Sequence, residues 1–418
     1  MSAGPSLKEL GTRAQAAARQ LARTSSAERD AGLLAAADGL ELAVAPILEA
    51  NATDVARATE AGTSATVIDR LRLSPGRIES MAAGLRQVAG LPDPIGEVLD
   101  GWRRPNGLRI QRVRVPLGVV AIIYENRPNV TSDAAGLCVK SANAAFLRGS
   151  SAAITSNTEI ARVLRQGFAK AGLPEDSLVL VEDTSRESAT EFMRLRGLID
   201  CLIPRGGPSL IAAILQHATV PYVIDGDGNC HVYVDASADL DMALDIVVNA
   251  KTQRPSVCNA AESLLVHAAV AARFLPRAAS ALEGVQLVGD ARSVEIVGPS
   301  RMGAATDEDF SQEFLDLKLS VAVVDDIDGA IDHIARHGSG HTEAIVTGDL
   351  AAATRFTDEV DAAAVVVNAS TRFTDGEEFG FGAEIGISTQ KLHARGPMGL
   401  RELTTYKYLV HGDGQIRT

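Results

Sequence analysis

Apolar positions early in the chain return at helical intervals. Leu33, Leu34, Ala37, Leu40, Val44, Ile47 and Leu48 form one such series, with charged positions between them. Residues 6–95 are therefore predicted to be helical, punctuated at Pro75-Gly76 and Pro92-Asp93-Pro94. Nothing in them suggests catalysis. At Leu108 the period changes to two. Leu108, Ile110, Val113 and Val115, with Arg and Gln between them, read as a half-exposed strand. Residues 403–410 repeat the style, with Tyr406 and Tyr408 interleaved. Two such ribbons at opposite ends of one chain are expected to pair with each other or with another subunit, because unpaired edges are seldom left bare.

Residues 116–235 alternate between strand and helix. Strands are predicted at 119–123, 144–147, 178–181, 199–203 and 220–224, and helices at 133–141, 157–171, 187–195 and 209–217. Repeats of this length imply a parallel, doubly wound sheet, whose ligands lie beyond the carboxyl ends of its strands. Two such ends pair Arg with Gly: Arg148-Gly149-Ser150-Ser151 and Arg205-Gly206-Gly207. Glycine lets amides approach a phosphate and Arg neutralises it, although a plain turn with an exposed Arg reads the same way. No GxGxxG fingerprint and no P-loop occurs. Residues 236–390 alternate again, with helices at 239–249, 268–282, 327–336 and 351–360 and strands at 264–266, 320–324, 344–346 and 364–367. The glycine-rich, aromatic run 379–386 is expected to form a loop close to a ligand.

Candidate chemistry centres on residues 251–261, Lys-Thr-Gln-Arg-Pro-Ser-Val-Cys-Asn-Ala-Ala, between a helical pattern and a strand-like run. Cys258 there suits a nucleophile. The thiolate is the attacking form, and cations such as Lys251 and Arg254, or helix-end amides, lower a thiol's pKa. The competing reading is a small buried hydrophobe, the commoner fate of a free cysteine.

Length and charge narrow the class. A chain of 418 residues exceeds one ordinary core, so two or three domains are expected. The net charge of −13 argues against a nucleic-acid partner, and no apolar run approaches the length that spans a bilayer. Any anionic ligand must be held by local Arg, Lys and backbone amides. Cys138, Cys201, Cys230 and Cys258 form no CxxC pair, which fits free thiols in a reducing compartment and no zinc site. Residues 1–10 lack the apolar core of a secretory signal, so a cytoplasmic location is expected. His333, His337 and His341 are spaced four apart, but Gly338-Ser339-Gly340 interrupts the helix and no metal is expected. Cys230 and His231, adjacent on a strand, would point to opposite faces and not make a catalytic pair.

Five stretches taken in order carry a resemblance. They are Val115-Pro-Leu-Gly-Val-Val-Ala-Ile-Ile-Tyr-Glu-Asn-Arg-Pro-Asn-Val-Thr131, Ile203-Pro-Arg-Gly-Gly207, Gly228-Asn-Cys-His-Val-Tyr-Val-Asp235, the Cys258 segment, and Gly380-Phe-Gly-Ala-Glu-Ile-Gly-Ile-Ser-Thr389. Over nearly its whole length the chain resembles the gamma-glutamyl phosphate reductases, a divergent branch of the aldehyde dehydrogenase superfamily. The resemblance implies an aldehyde-dehydrogenase-like α/β fold. Its parts would be a doubly wound cofactor-binding domain (1–100 and 116–235), an α/β catalytic domain (236–390) and a small strand-built oligomerisation region (101–115 and 391–418), hence a homo-oligomer. It implies NADPH-dependent reduction of L-glutamyl 5-phosphate to L-glutamate 5-semialdehyde and phosphate, in proline biosynthesis, with glutamate 5-kinase as a further partner.

Residue by residue, the resemblance makes Cys258 the nucleophile that forms a thioester. Arg148 would hold the adenine ribose, with Gly149, Ser150 and Ser151 beside a 2′-phosphate. Arg205, Gly206 and Gly207 would face the pyrophosphate and Glu313 the nicotinamide ribose, while Arg127, Asn129 and Arg254 bind substrate. The oxyanion asparagine of the superfamily falls within 126–129, a stretch whose alignment leaves the donor open. Oxidising relatives carry a water-activating glutamate where this chain reads Ile224-Asp225-Gly226-Asp227-Gly228. Its absence favours a reductase over the alternative, an oxidising hydrolytic aldehyde dehydrogenase of another small semialdehyde. Ala142 stands where many relatives have glycine.

Overall fold

The computed structural model describes residues 4–224 and 226–417. The chain forms two compact units, one from Met1–Ile224, Phe381–Gly386 and Met398–Thr418, the other from Asp225–Gly380 and Ile387–Pro397.

The first unit opens with five helices, α1 (Leu7–Leu21), α2 (Ser26–Leu42), α3 (Val44–Glu60), α4 (Ala65–Leu71) and α5 (Pro75–Gly90). Two begin in reciprocal caps. Ser6 accepts from the Glu9 amide while Glu9 accepts from Ser6, and Ser25 and Glu28 repeat the exchange. The predicted stripe is buried at Leu33, Ala37, Leu40 and Ile47, while Leu34 faces outward. Strands β1 (Val98–Arg103) and β2 (Arg109–Pro116) follow and pair antiparallel. The other edge of β2 pairs antiparallel with the C-terminal strand Thr404–His411, Thr404 opposite Pro116 and His411 opposite Arg109. The two ribbons therefore pair with each other, and β1 is an addition that the alternation did not reveal.

The unit's parallel sheet comprises β3 (Val119–Tyr124), β4 (Ala144–Gly149), β5 (Leu178–Leu180) and β6 (Cys201–Arg205), in the order β5-β4-β3-β6. Helices α6 (Val130–Lys140), α7 (Ile154–Lys170), α8 (Arg186–Phe192) and α9 (Pro208–His217) alternate with them. Every residue of β3 and β4 is buried, as their continuous apolar runs predict. The chain moves from β3 to β4 to β5, then returns to place β6 on the other side of β3. That reversal makes the carboxyl ends of β3 and β6 a topological switch point.

Two expectations are corrected. Residues 220–224 do not form a fifth strand: one bridge joins Leu202 to Tyr222, and Pro221 has no N–H to extend the ladder. The strand β7 (Cys230–Val234), inside the range 116–235 expected for the first domain, hydrogen-bonds in the sheet of the second unit. Ala142 adopts a left-handed φ of 60°, a conformation that glycine takes more readily.

The second unit is built on a seven-stranded parallel sheet. Its further strands are β8 (Ala261–His267), β9 (Gln286–Gly289), β10 (Met302–Ala304), β11 (Lys318–Val324), β12 (Thr342–Val346) and β13 (Ala364–Val367), in the order β10-β9-β11-β8-β7-β12-β13. One face packs against α10 (Leu240–Thr252) and the helix Ala268–Ala281 through Val247, Ala250, Leu264, Phe274 and Val321. On the other, Tyr233, Leu265 and Ile345 cluster with Phe356 of the helix Leu350–Glu359. Among the described residues no single helix is long and apolar enough to cross a membrane.

Asn143 ties three segments of the first unit. Its carbonyl accepts from the Gly118 amide at 2.8 Å and its amide donates to the Leu403 carbonyl at 2.8 Å, with the side chain fully buried. Asn143→Ala leaves both partners unmatched and should lower stability by about 2–4 kcal/mol. The check is the urea midpoint at unchanged slope. A loss under about 0.5 kcal/mol would mean that water takes the place of the amide.

Candidate active site

Cys258 stands on a loop clamped at its base. Lys251, in the last turn of α10, and Glu262, second in β8, form an ion pair at 2.5 Å with both side chains fully buried. Burial pushes the Glu262 carboxyl up to about 7 against the pull of Lys251. Burial likewise pushes Lys251 down, against the charge of Glu262. Lys251 is thus a strut and not the cation beside the thiol that its sequence position suggested. Arg254 is exposed on the loop.

Three contacts shape the loop around the sulfur. Gly228 approaches so closely that a Cβ there would lie 1.6 Å from the Cys258 carbonyl oxygen, so only glycine fits. Its amide donates to Glu313 Oε1 at 2.9 Å, which brings Glu313 to the cysteine loop. Buried Asn259 donates to the Thr374 carbonyl at 2.9 Å and the Arg372 carbonyl at 3.3 Å, and accepts from Thr371 Oγ1 at 2.7 Å through its own carbonyl. The Cys230 thiol donates to the Cys258 carbonyl at 3.2 Å. Burial, reinforced by the charge of Glu343, holds the Cys230 thiol far above its usual pKa, so it stays a protonated donor. Cys258 alone of the four cysteines is partly exposed.

Behind this loop the buried Glu343 Oε2 accepts from the His231 amide at 2.9 Å and lies 2.8 Å from His231 Nδ1. The His333 ring stands 5.6 Å from that of His231 and 4.6 Å from that of His337. Burial, with the neighbouring imidazoles, pushes His333 down to about 3. His341 lies apart from them, bonded to Thr342 Oγ1 and 3.6 Å from Cys230 Sγ. Among the described residues no three His, Cys, Asp or Glu side chains are placed to hold a metal ion. The residues around Cys258 precede their strands: Gly228 comes before β7, Cys258 before β8, Glu313 before β11 and His341 before β12.

In the first unit the expected cofactor residues gather at the carboxyl ends of β3, β4 and β6. Arg148 is buried near the end of β4, and its Nη2 donates to the Ser185 carbonyl at 2.6 Å. Burial lowers its pKa, against the charge of Asp183, and its Nε has no protein partner among the described residues. Gly149 gives way to the Asn157 amide, which a Cβ would meet at 2.2 Å. Ser150 Oγ accepts from the Asn126 amide at 3.3 Å and donates to Asn126 Oδ1 at 3.1 Å, with Asn126 left-handed at φ 38°. Asn129 is engaged separately, donating to Asp133 Oδ2 at 2.9 Å. Arg127 and Ser151 are exposed. Gly207 opens α9 without a side-chain cap and donates to Glu125 Oε2 at 3.2 Å, while Gly206 packs on the same carboxylate, next to Arg205.

Sequence reasoning missed Glu125, Gly228 as the cysteine's neighbour, and Arg372. The signal for Arg372 was weak: one Arg in a Ser-Thr turn after a strand. Asp225, in the stretch where relatives carry a glutamate base, lies outside the described residues.

The model of the aldehyde dehydrogenase family matches residues 6–312. A gamma-glutamyl phosphate reductase of Clostridium novyi is 55% identical over 411 residues, covering 98% of each chain, and one of Thermobifida fusca is 55% identical over 413 residues, again 98% of each. The crystal structure of gamma-glutamyl phosphate reductase from Thermotoga maritima superposes with a TM-score of 0.96 at 47% identity, over 98% of this chain and 99% of that one. An acetylating aldehyde dehydrogenase from Geobacillus thermoglucosidasius shares the fold alone, with a TM-score of 0.67 at 19% identity, over 98% of this chain and 97% of that one. With two parallel α/β sheets, an accessible cysteine before a central strand and this likeness along nearly its full length, the chain belongs to the aldehyde dehydrogenase family and, within it, to the gamma-glutamyl phosphate reductases.

Proposed function

We propose that the chain reduces L-glutamyl 5-phosphate to L-glutamate 5-semialdehyde and inorganic phosphate with NADPH, as a step of proline biosynthesis in the cytoplasm. The observation that carries this reading is Cys258, partly exposed and held by Gly228 and Cys230 in a chain 55% identical to gamma-glutamyl phosphate reductases. The Cys258 thiolate attacks the acyl carbon. The bond from that carbon to the phosphate oxygen breaks, phosphate leaves with the electron pair, and the acyl group remains as a thioester. The cofactor, when bound, supplies the hydride that reduces this thioester, after which the sulfur departs as thiolate and the aldehyde is released. The stretch 224–228 carries no glutamate of the kind that activates water in oxidising relatives, which favours a reductase over a hydrolytic enzyme.

The first unit suits the cofactor. Its switch point ends in the uncapped start of α9, where backbone amides favour a pyrophosphate, beside Arg205, Gly206 and Gly207. Arg148 keeps an unmatched Nε–H, and with Gly149, Ser150 and Ser151 it is the reader of the 2′-phosphate. Glu313 takes the nicotinamide ribose, and Arg127, Asn129 and Arg254 bind substrate. The second unit is catalytic. The sheet of β1, β2 and the C-terminal strand serves oligomerisation: Trp102, Tyr406, Tyr408 and Val410 are exposed there, a stripe that a second copy would cover. The acyl phosphate requires a kinase upstream, glutamate 5-kinase.

Cys258→Ser should lower phosphate-dependent oxidation of glutamate semialdehyde with NADP, the reverse reaction, by about a thousandfold or more, with an unchanged circular dichroism spectrum. Normal turnover would remove the nucleophile assignment. Arg148→Ala should raise the KM for NADPH roughly tenfold more than that for NADH, the scale of one lost charge-assisted hydrogen bond. Equal losses would confine Arg148 to holding the Ser185 turn.

A further inference from the structure

Arg372 lies in the short turn Thr371–Phe373, which is fastened to the residue after Cys258 by three hydrogen bonds. Thr371, Thr374 and Asn259, which make or frame those bonds, are all buried. The Arg372 side chain is half-buried and its Nε donates to Gln253 Oε1 at 2.9 Å, at the start of the same cysteine loop. The turn is thus locked to both ends of the loop. Arg254 is exposed on that loop; burial pushes the Arg372 pKa down, the charge of Arg254 acts in the same sense, and those of Asp375 and Cys258 act against it. Asp375 caps its own turn, its Oδ1 accepting from the Glu377 amide at 2.8 Å and the Glu378 amide at 3.4 Å, and its charge also acts on Arg372. Neither Arg254 nor Arg372 forms a salt bridge among the described residues. Two cations on the segments that carry and fasten the thiol, neither so paired, are arranged for an anion that arrives with the substrate.

We propose that Arg372, with Arg254, binds the phosphoryl group of the acyl phosphate and holds it as it leaves the acyl carbon that Cys258 attacks. This rests on the reading of Cys258 as the nucleophile. The same chemistry would recognise a substrate carboxylate, so the test separates the two anions. In the reverse reaction, phosphate and glutamate semialdehyde are varied independently with wild type, Arg372→Gln and Arg372→Lys. The expected result is a KM for phosphate about 10- to 100-fold higher in Arg372→Gln, partial recovery in Arg372→Lys, and a KM for the semialdehyde within about twofold of wild type. A second measurement needs no turnover. Inorganic phosphate should slow alkylation of Cys258 by iodoacetamide in the wild type and fail to do so in Arg372→Gln. A rise in the semialdehyde KM alone would assign Arg372 to the carboxylate and overturn the proposal, as would protection by phosphate that survives in both variants. Wild-type oxidation that needs no phosphate at all would instead sink the acyl-phosphate reading itself.

Discussion

An ion pair shut away from water sets where Cys258 stands. Lys251 and Glu262 bracket the loop, and the second oxygen of Glu262 accepts from the Leu315 amide at 3.2 Å. One carboxylate therefore joins the end of α10, the start of β8 and the turn that carries Glu313. Leu315 is itself left-handed, at φ 54°, a conformation that persists only where its surroundings impose it. Desolvation opposes such a pair, and removing one partner strands the other, typically at a cost of about 3–5 kcal/mol. Apolar pairs of equal size can hold a core as well, but one here would release the Leu315 amide. What the ions contribute is register: they fix which backbone atoms face the sulfur.

The same economy separates the two cysteines of the site. Cys230 is sealed among Glu343, His341 and the Cys258 carbonyl, and its thiol keeps its proton. Cys258 faces a loop with an exposed Arg254 and a half-buried Arg372. One residue type is thus a sealed hydrogen-bond donor in one place and a partly exposed thiol in another, and burial separates them. The two units also use their parallel sheets oppositely. In the first, Arg148-Gly149 and Arg205-Gly206 end or follow their strands near a topological switch point. In the second, Cys258 and its neighbours precede theirs.

Much of the fold was legible because single physical signals dominated it. The continuous apolar runs of β3 and β4 could only be buried strands, and residues 364–367 were read with the bounds that the structure gives. Residues 220–224 have the same composition, yet Pro221 withholds a donor and the run remains a single bridge. Strands β9 and β10, at Gln286–Gly289 and Met302–Ala304, are too short to stand out by period. In the site, the loop position of Cys258 between a helix and a strand was legible from the polar, Pro-broken segment around it. Lys251 was misread because its partner Glu262 belongs to the next element, and a charge in a sequence does not reveal its counter-charge. Arg372 was invisible for the same reason: its place comes from Asn259, more than a hundred residues earlier.

The first unit is discontinuous in sequence, and this governs the order in which the molecule can be assembled. The β1–β2 hairpin is translated well before the strand that covers the open side of β2. The whole sheet of the second unit, complete once β13 is synthesised, is made in between. Throughout synthesis β2 presents bare amides and carbonyls, an adhesive edge for any neighbouring nascent chain. A chain that stops short of its final strand would retain both sheets of parallel strands and still carry that open seam.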